Sequence, residues 1–95
     1  MHFLYILYSE KAHTYYVGET DDMELRLEKH INHSYHGSFT SMAEDWKVVL
    51  LFECISRSQA VQLEKFIKRM KNKVFIQKII SNPEILNDIV LKNHY

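Results

Sequence analysis

Two aromatic-rich runs, separated by five polar or small residues and followed at once by a capped helix, constrain this chain more than anything else in it. Phe3-Leu4-Tyr5-Ile6-Leu7-Tyr8 has strand composition, Ser9-Glu10-Lys11-Ala12-His13 interrupts it, and Thr14-Tyr15-Tyr16-Val17-Gly18 resumes it. Aromatic and β-branched side chains suit the pleated, half-buried surface of a sheet, so 3–8 and 14–18 read as an antiparallel hairpin. If the turn centres on Glu10-Lys11, Tyr5 and Tyr16 stand directly opposite each other on one face. Glu-Lys lacks the Asn-Gly chemistry of a two-residue turn, and a longer loop fits equally well. Gly18 ends the second strand, where a backbone without Cβ permits a sharp exit.

Thr20, Asp21 or Asp22 can cap a helix starting near Met23, their side chains suiting its positive end. Met23, Leu27 and Ile31 recur at i, i+4 and i+8 and predict a buried stripe, which Arg26 and His30 border. The segment from Asn32 to Asp45, with Gly37 and several small polar residues, reads as a loop. Val48-Val49-Leu50-Leu51-Phe52 is apolar without alternation and is the best candidate for a central strand covered on both faces.

Ser56 caps a second helix of roughly Arg57 to Lys71, with Ala60, Leu63, Phe66, Ile67 and Met70 as its core stripe. At about 100° per residue Glu64 falls on the rim of that stripe, and Lys68 and Lys71 follow on the same side. Val74, Phe75, Ile79 and Ile80 predict a further short helix. Ser81-Asn82-Pro83-Glu84 is a helix-start signal, with Asn82 as cap and Pro83 at the first helical position. It opens a last amphipathic helix carrying Ile85, Leu86, Ile89 and Val90.

Ninety-five residues, 46% hydrophobic and 25% charged, describe one compact domain with a modest core. No apolar run approaches the roughly 20 residues a membrane-spanning helix needs, and no signal peptide is expected. One cysteine, Cys54, has no partner for an internal disulfide, which fits a reducing cytoplasm. Formal net charge is zero, so any case for a nucleic-acid partner must come from local charge.

Three groups of residues carry chemistry. Tyr5, Tyr16, Arg26, His30 and Glu64 supply a candidate for each role in attack on a phosphodiester: a base for water, a cation for developing charge, and a carboxylate for a divalent metal. Only a fold that brings the second helix against the hairpin assembles them; taken singly, each reads more readily as core aromatic or rim charge. His30, His33 and His36 recur every three residues, but they lack the paired cysteines of a structural zinc site and read as loop histidines. Lys65, Lys68, Arg69, Lys71 and Lys73 can contact phosphates or form the solvated face of a helix. The balancing acidic residues, including Glu19, Asp21, Asp22, Glu24 and Glu28, flank the hairpin.

The order of these residues resembles a known family. Phe3-Leu4-Tyr5-Ile6-Leu7, then Tyr15-Tyr16-Val17-Gly18-x-Thr20-x-Asp22-Met23-x-x-Arg26-Leu27-x-x-His30, resembles the GIY-YIG nuclease superfamily. It looks like the small stand-alone bacterial members related to structure-selective SLX endonucleases and to excision-repair nuclease domains. Phe39-Thr40 with Asp45-Trp46-Lys47-Val48-Val49 resembles the lead into the third strand. Ser56-Arg57-Ser58-Gln59-Ala60 with Glu64-Lys65-x-Ile67-Lys68 resembles the helix carrying the metal-binding glutamate.

The resemblance implies an α+β fold, a small three-stranded antiparallel sheet flanked by helices. Residues 1–80 would form the nuclease domain, with 81–95 a C-terminal helical extension that packs on it or mediates a homodimer. It implies a metal-dependent endonuclease acting on DNA, with branched or damaged DNA as substrate. Tyr5 and Tyr16 would be the paired active-site tyrosines, one of them the base, and Arg26 would stabilise the pentavalent phosphate. His30 would assist nearby, and Glu64 would hold a single Mg²⁺ or Mn²⁺. Lys65, Lys68 and Lys71 would contact the nucleic acid. Two positions depart from the pattern: Phe3-Leu4 replaces Gly-Ile, and the acidic Glu19 follows Gly18 where small or basic residues are usual. The alternative reading is a catalytically silent module of the same fold that binds nucleic acid or a protein partner.

Overall fold

The computed structural model describes residues 1–31 and 43–93. The elements run β1 (His2–Ser9), β2 (Thr14–Thr20), α1 (Met23–Ile31), β3 (Lys47–Cys54), α2 (Arg57–Met70), α3 (Lys73–Ser81) and α4 (Glu84–Asn93). Three antiparallel strands form one sheet in the order β2-β1-β3, and the four helices flank it as an α+β fold. His33, His36 and Phe39-Thr40 lie outside the described residues.

The central strand is β1, not β3 as the unalternating run at 48–52 suggested. Leu4 and Ile6 are buried on one face of β1, Tyr5 and Leu7 on the other. The run in β3 fails to alternate for a different reason. Ile6 pairs with Leu50 but Leu7 with Val48, so Val49 is an extra residue that bulges the strand. Val49 and Leu50 both reach the core beneath α2, whereas Val48 and Leu51 are 36% and 47% exposed. An edge strand with a bulge and a two-sided central strand produce the same local composition.

The hairpin register also differs from a turn centred on Glu10-Lys11. Ser9 pairs with Thr14, Leu7 with Tyr16 and Tyr5 with Gly18, leaving 10–13 as the loop. Asp45 fixes that loop from outside the hairpin. Its carboxylate accepts from Ser9 Oγ at 2.5 Å, from the Glu10 amide at 3.1 Å and from the Lys11 amide at 3.0 Å. With those amides satisfied, the loop holds its shape without glycine, even with His13 at φ 52°.

The two sheet faces carry separate cores. On one, Leu4, Ile6, Val17 and Leu50 pack beneath Ala60, Leu63 and Ile67 of α2, with Ile79 of α3 and Leu86 of α4 completing the layer. On the other, Tyr5 and Leu7 pack with Ala43, Trp46 and the Met23-Leu27-Ile31 stripe of α1. The helix starts follow sequence chemistry. Asp22 Oδ1 accepts from the Leu25 amide at 3.1 Å, Ser56 Oγ from Gln59 at 3.2 Å, and Asn72 Oδ1 from Val74 and Phe75 at 2.9 and 3.2 Å. Gln59 reaches back to the Ile55 amide at 3.0 Å, so the start of α2 is tied from both sides. The stripe of α4 is absorbed by the protein's own core, where Ile85, Ile89 and Val90 join Leu86.

Candidate active site

Tyr5 projects from the central strand into the α1-side core and is fully buried. Its ring fits only because Gly18 stands opposite: a Cβ built there would lie 2.5 Å from both Tyr5 Cζ and Oη. Gly18 therefore sits inside β2, not at its exit, and its lack of a side chain serves close approach of the tyrosine.

His30, in the last turn of α1 and also buried, shares a 2.9 Å hydrogen bond between its Nε2 and the Tyr5 hydroxyl. Burial lowers the imidazole pKa to about 4, and the Arg26 guanidinium one turn earlier adds to that shift. His30 is consequently neutral near pH 7. Tyr16 points to the same face from β2; its ring centroid is 5.0 Å from that of His30 and 6.2 Å from that of Tyr5. Two tyrosines and a neutral imidazole thus form one aromatic cluster, with Tyr5 at its interior and the half-buried Tyr16 toward its rim.

Glu64 approaches from α2 across the edge of β2. Burial raises the pKa of its carboxyl group; Glu19 acts in the same direction, while Lys68, Arg26 and Lys65 oppose it. Glu64 thus feels the charges of Glu19 in β2 and Arg26 in α1 as well as those of its own helix. Lys68 links the parts: its Nζ is 3.8 Å from Glu64 Oε2 and 5.3 Å from the centre of the Tyr16 ring. Tyr16, Arg26, His30 and Glu64, scattered over 49 positions of sequence, gather at one sheet edge, with Tyr5 behind them.

The lysine cluster divides. Lys68 and Lys71 line a groove of ≈ 440 Å³ between the β2 edge, the end of α2 and the start of α3. Lys65 is exposed, and Arg69 stacks over Phe66 with its guanidinium 5.8 Å from the ring. On the other side of the site, Arg26 lines a smaller pocket of ≈ 260 Å³ with His2, Glu19, Thr20, Asp21 and Arg57. There Glu19 is bonded to His2, so this unusual acidic residue is engaged across the sheet. Arg57 and Asp45 stand in stretches that carry the resemblance, but neither has a role of its own legible in the sequence. Arg57 reads as an ordinary first-turn residue, and Asp45 acts on a loop 34 residues away.

Glu64 suits a divalent cation on chemical grounds. It is a half-buried carboxylate, its side chain 21% exposed, whose charge is opposed by burial and by Glu19, and a hard cation takes oxygen ligands. Among the described residues no group of three His, Cys, Asp or Glu side chains converges to form an all-protein metal cage.

A family model for the GIY-YIG catalytic domain matches residues 1–79. The chain belongs to this family of nuclease domains. No curated protein and no solved structure gives a significant match.

Proposed function

We propose that the protein is a divalent-metal-dependent endonuclease that hydrolyses phosphodiester bonds in DNA. The observation that supports this most is the meeting of Tyr16, Arg26 and Glu64, from β2, α1 and α2, around the Tyr5–His30 pair. In this reading Glu64 would hold Mg²⁺ or Mn²⁺, which when bound supplies Lewis-acid stabilisation of phosphate oxygens.

The roles of the tyrosines follow from burial. Tyr5 is sealed behind the site and acts as a positioning residue: its hydroxyl shares a hydrogen bond with Nε2 of the neutral His30, which fixes both rings. Tyr16 lies at the rim and takes the proton of the attacking water. The deprotonated phenol needed for that step sits beside the Lys68 ammonium, 5.3 Å from the ring centre. The Arg26 guanidinium, permanently charged, stabilises the negative charge that accumulates on the phosphoryl oxygens. Lys65, Lys68 and Lys71 guide the backbone of the nucleic acid.

The likeness to SLX-type and excision-repair nucleases suggests branched or damaged DNA, in repair or recombination, as the substrate, and the lone Cys54 suits a reducing cytoplasm. The reading needs no second copy; a homodimer through α4 has the exposed Leu91 as its large apolar contact among the described residues. The test is cleavage of single-stranded, duplex and junction DNA with Mg²⁺ or Mn²⁺ by the wild type, lost in folded Arg26→Ala and Glu64→Ala proteins. If a well-folded wild type nicks none of them with either metal, the enzymatic reading fails.

One observation favours a silent binding module: Glu19 places a second carboxylate near Glu64, which repels an anionic substrate in the absence of a cation. Salt separates the two kinds of partner for such a module. Binding to phosphates weakens steeply as salt rises, whereas a protein partner held by apolar contacts is insensitive to it.

A further inference from the structure

The groove beside the site has a chemistry of its own. Its floor is apolar and aromatic, formed by Tyr15, Val17, Ile67 and Ile76, and its mouth carries the ammonium groups of Lys68 and Lys71. At ≈ 440 Å³ it falls within the roughly 300–1,000 Å³ range of small-ligand sites. The Tyr15 ring is braced from within the sheet by Tyr8, centroid to centroid 4.7 Å. A third cation, Lys73, serves the walls: its Nζ donates to the His13 carbonyl at 3.0 Å and ties α3 to the hairpin loop.

Two features connect this groove to anionic ligands and to the site. Lys68 is shared, contacting Tyr16 on one side and lining the groove on the other. Lys71 occupies the left-handed cap of α2 at φ 47°, ψ 42°, where glycine is the residue of least strain. A lysine held in that conformation at the mouth of an apolar groove places a cation there against the local backbone preference.

We propose that this groove is a nucleotide subsite, taking a nucleobase against Tyr15 and Ile76 and the attached phosphate on Lys68 and Lys71. An aromatic wall with cations at its rim is the chemistry by which unpaired nucleotides are held, since every base offers a π-face and every linkage a negative charge. The inference rests on the nuclease reading for its meaning: the occupant is the nucleotide next to the scissile phosphate at Tyr16, with its base out of the stack. The smaller pocket lined by Arg26 mixes two arginines, Arg26 and Arg57, with Glu19 and Asp21, and among the described residues its lining has no tyrosine or aliphatic side chain to take a nucleobase. The substrate is gripped on the α3 side of the cut.

The experiment titrates deoxyadenosine 5′-monophosphate into the full chain without metal and follows backbone amide shifts. Saturable shifts are expected at Thr14–Val17 and at 67–73, with weaker binding as salt rises and weaker binding of adenosine, which lacks the phosphate. Lys71→Gly relieves the left-handed backbone while removing the cation. It should retain or raise the melting temperature and weaken the nucleotide by roughly tenfold, the loss of one charge-assisted hydrogen bond. Shifts that are absent from the groove, or unchanged affinity in Lys71→Gly, overturn the proposal. DNA cleavage assayed on the same preparations separates the two readings. Cleavage without groove shifts removes the subsite and leaves the nuclease, whereas groove binding without cleavage under either metal leaves a nucleotide site and removes the nuclease.

Discussion

Gly18 faces Tyr5 across the β1–β2 ladder at a distance that admits no side chain: an added Cβ would meet the phenol carbon Cζ and its oxygen at 2.5 Å. The contact cannot be relieved by rotating a flexible tip, because Tyr5 is packed on all sides and bonded to His30. Gly18→Ala should therefore destabilise the fold by about 1–3 kcal/mol, the usual cost of overpacking a filled core. It should also push the Tyr5 hydroxyl away from His30. Urea denaturation reads the first effect and imidazole nitrogen shifts the second. A stability within about 0.5 kcal/mol of wild type, the spread of ordinary surface changes, would show that the ring has room to move.

The depressed His30 pKa makes stability depend on pH in a definite direction. The folded imidazole titrates near 4 while the unfolded one titrates near 6.5, so between these values the unfolded chain binds more protons. Stability from this group is complete above pH 6.5, falls as the pH drops through the window, and levels off below about 4. At 1.36 kcal/mol per pKa unit the whole loss is ~3 kcal/mol. His30→Gln keeps a polar partner for Tyr5 but cannot titrate. The difference between wild-type and variant unfolding free energies, measured from pH 4 to 7, should carry this slope; a constant difference would contradict it.

How much of this could be read from the chain depended on whether a signal was local. The cap Ser56, a cap for α1 among Thr20, Asp21 and Asp22, most of the α2 stripe and the aromatic strands are decided by residues within one or two turns and stand where the sequence puts them. Met70, at the end of the α2 stripe, is instead 45% exposed, and in α1 it is His30 that is buried while Met23, Leu27 and Ile31 are half-buried. The central position of β1 was not legible. Composition cannot distinguish two-sided burial from the bulge at Val49, and pairing order is a property of the whole sheet. Tyr5, Tyr16, Arg26, His30 and Glu64 were picked out as a set, but their separate depths were not. That Tyr5 is sealed while Tyr16 reaches the rim depends on the diagonal register, set by a loop whose first residues Asp45 fixes from afar. The groove was missed because it joins backbone and side chains from the β2 edge with two helices.

The Asp45 clamp has its own consequence. Its carboxyl pKa is lowered, chiefly by the Ser9 hydroxyl and then by the Lys11 amide, with the Glu10 amide contributing. A depressed carboxylate stabilises the fold above its unfolded value and loses that contribution as the pH falls through its folded value, so the clamp opens below the ordinary range of an aspartate. Asp45→Ala leaves the loop amides to water and should lower the melting temperature. Hydrogen exchange should accelerate at Glu10 and Lys11 before it does at Leu4 or Ile6. Equal acceleration throughout β1 would mean that Asp45 supports the sheet as a whole instead of the loop.

Glu64 and Arg26 offer the sharpest contrast between holding a fold and serving a reaction. The Glu64 carboxyl pKa is raised by burial and then by Glu19, so the folded protein holds this proton to higher pH than the unfolded chain does. The sign is opposite to that of Asp45: stability is highest below the ordinary carboxylate range and is lost as the pH rises through the elevated folded value. Glu64→Gln removes a buried charge, and its pair with the largely exposed Lys68 contributes little, so the variant should melt at or above the wild-type temperature at pH 7. A ligand that binds only the folded state raises its melting temperature. Mn²⁺ should accordingly stabilise the wild type and leave Glu64→Gln unmoved. Arg26→Ala should keep the Mn²⁺ shift while losing on the order of 10²–10³ in cleavage rate, the scale of removing one donor from developing charge. An unchanged Mn²⁺ response in Glu64→Gln would place the metal elsewhere. Loss of that response in Arg26→Ala would make the arginine part of the metal-binding arrangement instead of a partner to the phosphate.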